Sequence, residues 1–163
     1  MAESVHLKLK ANGTVIEGES TQTSLGREKT IECTFYEETV KTARETGSAM
    51  ATGRRQHGPI KIQKRIDKSS PLLMKALCDN TSCDAEFNFF RPNPAGDGTT
   101  EQFYTVVLTN ARVAGVKQWV PDCLDPASNS APPLEEVEFV FHTIKWLHKG
   151  GKTEHEDTWS GNK

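Results

Sequence analysis

Apolar and polar residues alternate along several stretches of the chain, and this period of two is typical of half-buried β-strands. Val5, Leu7 and Leu9 alternate with polar residues up to Asn12 and Gly13, a pair that favours a turn. The same alternation, or a high content of Val, Thr and aromatic residues, predicts further strands over residues 30–40, 85–90, 102–116 and 135–146. The pattern therefore predicts a mainly β protein.

The segment from residue 45 to residue 66 interrupts this pattern and then restores it. Residues 45–52 are small and polar and have no period, which predicts an exposed loop that continues through residues 53–59. Ile60 and Ile62 then alternate with polar residues, as in a half-buried strand. Lys64 falls on the apolar face of that strand, so we expect a bulge or the rim of a barrel there.

A short helix is predicted after this strand. Ser70 can supply the N-cap hydroxyl, and Pro71 suits the first helical position because its missing N–H costs nothing there. The helix should end near residues 79 and 80. Three apolar residues fall on one of its sides: Leu73, Ala76 and Leu77.

The last long strand changes its apolar face, with Phe141 on one side and Ile144 on the other, which predicts a bulge between them. Residues 149–152 predict a hairpin turn. Long antiparallel strands leave exposed edges unless the sheet closes on itself or pairs with a neighbour. We therefore predict an antiparallel β-barrel of long strands with one short α-helix packed beside it.

Length and composition are consistent with this fold. The 163 residues suit one domain with a hydrophobic core, and we expect residues 1–163 to form it. A hydrophobic content of 35% and a mean hydropathy of -0.59 are low for a globular protein and high for a disordered one. These values fit a small barrel with a large surface.

The formal net charge of -2 hides two local imbalances. Residues 17–38 are rich in glutamate, offset only by Arg27 and Lys29. Residues 54–68 are basic, offset only by Asp67, and their cations are Arg54, Arg55, Lys61, Lys64, Arg65 and Lys68. Opposite charges on one chain suit contacts between unlike surfaces of identical copies.

The basic stretch has three interpretations: a nucleic-acid footprint, a solvated strand face or a protein interface. It lacks the interleaved aromatic residues that would stack on bases, and the pI of the whole chain is about 6.2. Both observations disfavour nucleic acid, and the acidic stretch favours a protein interface.

Candidate catalytic and metal-binding residues are few. His57, Asp67 and Ser69 or Ser70 are the residue types of a hydrolytic triad, but no nucleophile elbow or oxyanion turn accompanies them, so we interpret the serines as helix caps. His148, His155, Glu156 and Asp157 could ligate a metal, but the turn between them is the simpler interpretation. We expect no enzymatic activity, no cofactor and no metal.

The four cysteines show no paired spacing of a zinc site, and we expect buried or half-buried free thiols in a reducing compartment. A disulfide between Cys78 and Cys83 is the weaker option. The N-terminus has no basic and apolar regions of a signal peptide, and no apolar run approaches the roughly 18 residues of a membrane helix. These features predict a cytoplasmic protein.

Four segments, in this order, carry a resemblance to a known family: residues 53–73, 120–126, 137–146 and 157–159. The first joins Gly-Arg-Arg-Gln-His-Gly-Pro to the strand and helix described above, and the second reads Val-Pro-Asp-Cys-Leu-Asp-Pro. The third is the last long strand, and the fourth is Asp-Thr-Trp. Together they resemble the haemolysin-coregulated protein (Hcp) family, the tube subunits of bacterial type VI secretion systems. The resemblance extends from about Val5 to Trp159.

The resemblance implies a β-barrel with a helix beside it and a structural, non-enzymatic function. Subunits of this family form hexameric rings that stack into a tube, so the expected partners are other copies of this chain, effector proteins in the lumen, a VgrG spike trimer at the tip, and contractile sheath and baseplate proteins. The tube assembles in the bacterial cytoplasm and is expelled into a target cell without a signal peptide. Only residues 160–163 follow Trp159, so no toxin extension is expected.

The resemblance also implies where copies meet. The extended loop of the family serves ring stacking, and it corresponds to residues 43–52. The candidate contact residues in it are Gly47, Ser48, Ala49 and Met50. The residues that match the family by position, and that we expect to support the loop, are Gly53, Arg54, Arg55, His57 and Pro59. Among these, Arg54 and Arg55 are the expected interface charges. The alternative hypothesis is a monomeric barrel that binds a ligand or nucleic acid through residues 54–68.

Overall fold

The computed structural model describes residues 3–158. Within this range the chain forms ten β-strands and one α-helix. In chain order they are β1 (Ser4–Ala11), β2 (Thr14–Ile16), β3 (Ile31–Glu37), β4 (Val40–Arg44), β5 (Ala51–His57), β6 (Ile60–Arg65), α1 (Ser70–Cys78), β7 (Cys83–Pro92), β8 (Thr100–Trp119), β9 (Leu134–His148) and β10 (Thr153–Thr158).

Six of the strands close into an antiparallel barrel. Hydrogen-bonded neighbours follow the order β9, β6, β3, β1, β7 and β8, and β8 pairs with β9 to complete the circuit. Two shorter strands extend the sheet, because β2 pairs with β1 and β10 pairs with β9. Closure gives each barrel strand a neighbour on both sides, which removes the exposed edges of an open sheet. The predicted barrel is confirmed.

The inside of the barrel is filled by the apolar residues of the alternating strands. Their side chains are almost completely shielded from water, and burial of this kind is the main favourable contribution to folding. The most buried of them are Leu7, Leu9, Ile31, Ile60, Ile62, Phe87, Val106, Leu108, Val137, Phe139 and Ile144. The helix α1 adds Leu73 and Ala76 to this core.

Lys64 lies inside the barrel and is fully buried. Its ammonium group donates to Asp67 Oδ1 at 2.9 Å and forms an ion pair with Glu135, which is buried as well. Glu135 also accepts hydrogen bonds from Ser70 Oγ and Gln118 Nε2, each at 2.8 Å. A buried charge requires such partners, because its transfer out of water is costly.

The expectation of a rim at Lys64 is therefore wrong, because β6 continues its inward face through this residue. A bulge does lie beside it, but in the neighbouring strand, where the pairing of β3 with β6 shifts between Cys33 and Phe35. The irregularity in the pairing therefore lies in β3, whereas β6 keeps its alternation of inward and outward side chains.

The helix α1 begins one residue earlier than predicted, with Ser69 as its N-cap and Pro71 in its first turn. Neither serine acts as the predicted cap: Ser69 makes no side-chain cap hydrogen bond, and its hydroxyl donates to Asp67, while that of Ser70 donates to Glu135. The predicted apolar side and end of the helix are confirmed. Among the described residues, no helix has the length and apolar character needed to cross a membrane.

The bulge predicted between Phe141 and Ile144 is not found in β9. The strand keeps a constant register with β8 from residue 141 to residue 148. The irregularity lies in β8, where Asn110 has a φ of 51° and the pairing with β7 shifts nearby. β9 changes its other neighbour from β6 to β10 at this point, so its buried face switches without a bulge of its own.

β4 and β5 form a separate two-stranded sheet, which we call the arm (residues 40–57). Two predictions were wrong here. The strand predicted over residues 30–40 ends at Glu37, and β5 occupies most of the loop predicted over residues 53–59. Most arm residues are exposed, so the arm lacks the alternation that identifies a half-buried strand.

The four cysteines are free thiols. Cys33 and Cys83 are buried, as expected, whereas Cys78 and Cys123 are exposed, contrary to the expectation of buried or half-buried thiols. The disulfide between Cys78 and Cys83 is absent from the structure.

Candidate functional site

The tip of the arm, residues 45–50, contains the four loop residues singled out from the sequence. Gly47 and Ala49 have positive φ angles of 105° and 59°, which shape the turn between β4 and β5. Ser48 Oγ donates to Glu45 Oε2 at 2.6 Å, within the tip itself. Met50 is 66% exposed, which leaves a large apolar side chain at the end of the arm without a covering residue from the barrel.

Gly53 and Arg54 lie further along the arm, in β5. Gly53 faces Ala43 across the hairpin, where an added Cβ would lie 3.4 Å from the Ala43 methyl group. Arg54 is exposed and takes part in no ion pair with residues 3–158. Pro59 is exposed in the connection between the arm and β6, where its fixed φ stiffens the base of the arm.

Arg55 connects the arm to the barrel through Asp157 of β10. Its Nε and Nη2 atoms donate to the two carboxylate oxygens of Asp157, each at 2.6 Å, and Nη2 also donates to the carbonyl of Thr158 at 3.1 Å. Such a two-point contact between guanidinium and carboxylate fixes orientation as well as charge. The expected interface cation Arg55 is thus occupied within its own subunit.

His57 approaches the same carboxylate. Its Nε2 lies 2.7 Å from Asp157 Oδ2, and its ring contacts Phe141 edge-on with 5.4 Å between centroids. The ring also stacks on Trp146 at 6.3 Å with an interplanar angle of 24°. The side chain is buried by these contacts, so His57 belongs to the base of the arm and not to its exposed surface.

Glu38 lies on the other side of the base of the arm, close to the start of β4. This residue lies between β3 and β4, and its carboxylate accepts the indole N–H of Trp146 at 2.8 Å to one oxygen and 3.1 Å to the other. The opposite face of Trp146 stacks on His155 at 5.7 Å with an interplanar angle of 7°. We call these residues the anchor: Glu38, Arg55, His57, Trp146, His155 and Asp157.

Electrostatics in the anchor follow from these contacts. The hydrogen bonds from Arg55 lower the pKa of Asp157 to about 2, with a smaller contribution from His57, and the same contact raises the pKa of Arg55. Burial raises the pKa of Glu38, although the Trp146 N–H and the nearby His57 oppose this shift. The Arg55–Asp157 pair is therefore charged at neutral pH.

Most cations of residues 54–68 are neutralised within the chain. Lys61 lies 3.6 Å from both Glu136 and Glu138, and Lys68 lies 3.4 Å from Glu17. Lys64 is buried, and Arg55 is held by Asp157. This pairing removes most of the positive charge on which the nucleic-acid alternative depended.

The triad residue types do not come together. His57 contacts Asp157, whereas Asp67, Ser69 and Ser70 surround Lys64 at the start of the helix. Among residues 3–158 no group of three or more His, Cys, Asp or Glu side chains is arranged to hold a metal ion. The hairpin turn between β9 and β10 matches the prediction, and His148 Nδ1 accepts the N–H of Gly151 there at 2.9 Å.

Four anchor residues were not predicted as interface or support residues of the arm: Glu38, His155, Trp146 and Asp157. The sequence carried a signal for the last two, because residues 137–146 and 157–159 both contribute to the family resemblance. That signal did not reveal their contact with the arm, since about a hundred residues separate Arg55 from Asp157. Trp159, the last residue of the resemblance, lies outside the described residues.

Comparison with known proteins places these features in a family. The family model described as "Type VI secretion system effector, Hcp" matches residues 7–148. The chain is 32% identical over 154 residues to the "Major exported protein" of Pseudomonas aeruginosa strain PAO1, with 90% of this chain and 88% of that protein covered.

Solved structures show the same fold. A doubly mutated Hcp1 from the E. coli EAEC 042 pathovar superposes with a TM-score of 0.81 at 29% identity, covering 96% of this chain and 98% of that one. A second structure, described as Hcp protein, gives a TM-score of 0.85 at 22% identity over 99% and 100% of the two chains.

Proposed function

We propose, from the premise that this chain belongs to the Hcp family of type VI secretion proteins, that it forms hexameric rings which stack into the inner tube of the apparatus. The family assignment supports a secreted, structural component of that system, and we expect no enzymatic activity. The observation that carries the finer proposal is the arm, a sheet of its own whose base is held by the anchor and whose tip is exposed.

An arm of this kind supports a contact between two different patches of identical subunits. Such heterologous contacts form rings when the rotation closes and filaments when it does not, and a tube requires both. The tip residues make their hydrogen bonds within the arm, and the exposed Met50 side chain remains available to another copy.

Charge supports the same arrangement. The arm carries three cations that form no ion pair within residues 3–158: Lys41, Arg44 and Arg54. The acidic stretch keeps three exposed glutamates that are likewise unpaired in the described part of the chain: Glu19, Glu28 and Glu37. Opposite charges on different segments of one subunit favour head-to-tail association of copies.

In this function the ring lumen holds effector proteins, the tube carries a spike trimer of VgrG type at its tip, and sheath and baseplate proteins surround it in the bacterial cytoplasm before expulsion. Negative-stain electron microscopy of the purified protein at modest salt tests the assembly. Six-fold rings with an open centre are the expected result. Uniform monomers over a range of protein concentrations would overturn the proposal.

The contribution of the arm cations is tested with Arg54→Glu. Reversal of this exposed charge should weaken ring stacking several-fold, because it replaces attraction by repulsion at the contact, while the folded subunit keeps its melting temperature. Sedimentation of stacked rings measures the effect. Arg65→Glu is the matched control, since Arg65 is also exposed and unpaired within residues 3–158 but lies outside the arm. Equal effects of both substitutions would show that only net charge matters.

A further inference from the structure

The arm shares no strand pairing with the barrel in the described part of the chain. Its direction therefore depends on the connections at its base and on side-chain contacts. The β9–β10 hairpin provides such contacts through Trp146 and Asp157. The hairpin contacts both sides of the base: β5 through Asp157, and the residues just before β4 through Trp146.

Asp157 is the centre of this arrangement. Its two oxygens accept hydrogen bonds from Arg55 at 2.6 Å, and one of them lies 2.7 Å from Nε2 of His57. Arg55 and His57 are alternate residues of one strand, so their side chains leave the same face of β5. Two contacts from one face to one carboxylate restrict both the rotation and the tilt of the arm.

At the base of the arm, the two chain segments that lead into and out of it also lie close together. The N–H of Gly58 donates to the carbonyl of Thr39 at 2.8 Å where the two chain segments cross. An added Cβ on Gly58 would lie 2.5 Å from Thr39 Oγ1 and 3.5 Å from the Thr39 carbonyl oxygen, so the Thr39 hydroxyl fills the space beside Gly58. A close crossing plus a lateral contact to Asp157 defines one direction for the arm.

We infer that Asp157 is a positioning residue, which sets the direction of the arm while contributing little to the stability of the barrel. Its side chain belongs to the edge strand β10, is 16% exposed and lies outside the apolar core. Loss of its charge would therefore release the arm without unfolding the six barrel strands. The consequence for assembly rests on the proposed function, whereas the consequence for arm mobility does not.

Hydrogen exchange measured by mass spectrometry tests the inference directly. In Asp157→Asn, backbone amides of residues 40–57 should exchange faster by about threefold or more, because the charged contact of this partly exposed pair is lost. Amides of β1 and β7 should keep their wild-type rates. The two proteins are compared after size exclusion, in fractions of the same oligomeric state. Unchanged exchange in the arm, or equally increased exchange in the barrel, would overturn the inference.

Two further variants keep the test specific. Glu154→Gln is the matched control, because Glu154 lies on the same strand and pairs with Lys145 of β9 at 3.6 Å without contacting the arm. It should leave arm exchange unchanged. Arg55→Lys keeps the charge but loses the two-point contact, so it should increase arm exchange by less than Asp157→Asn does. If Glu154→Gln loosens the arm equally, the effect belongs to the hairpin and not to Asp157.

Assembly provides the second readout. Asp157→Asn should reduce ring stacking in proportion to the gain in arm mobility, and combining it with Arg55→Lys should add little, because both act through one contact. Loosened arms with fully retained stacking would overturn the role of arm direction in assembly. If the wild-type protein itself forms no rings, the proposed function fails, while the exchange experiment still decides whether Asp157 positions the arm.

Discussion

His6 illustrates how a buried side chain makes the fold sensitive to pH. The residue is 1% exposed in β1, and its Nδ1 lies 3.0 Å from Thr30 Oγ1. Burial lowers the pKa of His6 from 6.5 to about 4, with Glu32 opposing and Arg27 reinforcing the shift. The folded state therefore holds a neutral imidazole at pH values where the unfolded chain already binds a proton.

The contribution of His6 to stability should be complete above about pH 6.5 and should be lost as the pH falls towards about 4. The depressed pKa corresponds to a loss of up to about 3 kcal/mol in the free energy of unfolding. Urea unfolding at several pH values in this range, compared between the wild type and His6→Asn, measures it. The variant should be less stable at neutral pH but less sensitive to acid. His142→Asn, which replaces an exposed histidine, is the control. Equal acid sensitivity of His6→Asn and the wild type would contradict the assignment of this effect to His6.

At the scale of elements, the crossing of Thr39 and Gly58 is the tightest point of the arm. Gly58→Ala places a Cβ 2.5 Å from Thr39 Oγ1, so the Thr39 hydroxyl or the arm base must shift. We expect a loss of about 1–2 kcal/mol in local stability, measured as faster proteolysis or exchange of the arm. Gly53→Ala is the control within the same strand, since its Cβ would lie 3.4 Å from the Ala43 methyl group.

A second substitution should relieve the same clash. The conflicting atom is a side-chain hydroxyl, and the Thr39 carbonyl would lie 3.5 Å from the added Cβ. Thr39→Ala combined with Gly58→Ala should therefore restore most of the arm protection. Equal effects of the Gly58 and Gly53 substitutions, or no rescue, would show that the close crossing does not hold the base of the arm.

Elements differ in how far the sequence predicts them, and burial explains the difference. The barrel strands bury one face, so their alternation identified them, and the turns at Asn12 and at residues 149–152 followed from local residue types. The arm strands expose most of their side chains, so β5 was mistaken for a loop. A bulge or a rim was predicted at Lys64 because a strand pattern does not show the carboxylates of Asp67 and Glu135, which pair with its ammonium group in the fold.

The candidate site was predictable only in part for a similar reason. The residues of the arm could be selected from the family resemblance, and the structure places them in one hairpin and its connection to β6. Asp157, Trp146 and Glu38 come from distant segments, and only the closed barrel brings them to the base of the arm. Neither spacing nor alternation encodes a contact of this kind.

At the scale of the whole molecule, the ionic cluster around Lys64 connects the barrel to its helix. The cluster joins β6 to β9 through Glu135, and it joins both strands to the start of α1 through Ser70. Asp67 is the third charged member of the cluster. Burial alone would raise the pKa of its carboxyl group, but the hydrogen bonds from Ser69 and Lys64 together outweigh burial and lower it. The helix is thus held to the barrel by charge as well as by apolar packing.

Removal of one partner should be costly. Lys64→Met leaves the buried Glu135 uncompensated and should lower the free energy of unfolding by about 3–5 kcal/mol, as measured by denaturant titration. Lys64→Met with Glu135→Gln should recover much of this loss, because the fully buried carboxylate of Glu135 is removed together with its cation. Lys61→Met on the same strand is the control, since its ion pairs are partly exposed and should contribute less than about 1 kcal/mol. Equal effects at positions 61 and 64 would contradict the role of the cluster.

The tip of the arm is chemically self-contained. Glu45 N–H donates to the Met50 carbonyl at 2.8 Å, the Ala49 N–H donates to the Glu45 carbonyl at 3.0 Å, and Arg44 Nη1 donates to the Ala49 carbonyl at 3.2 Å. The core therefore places few demands on which residues occupy the tip. These six positions can therefore change while the barrel remains the same, and under the proposed function such changes would alter which copies fit together.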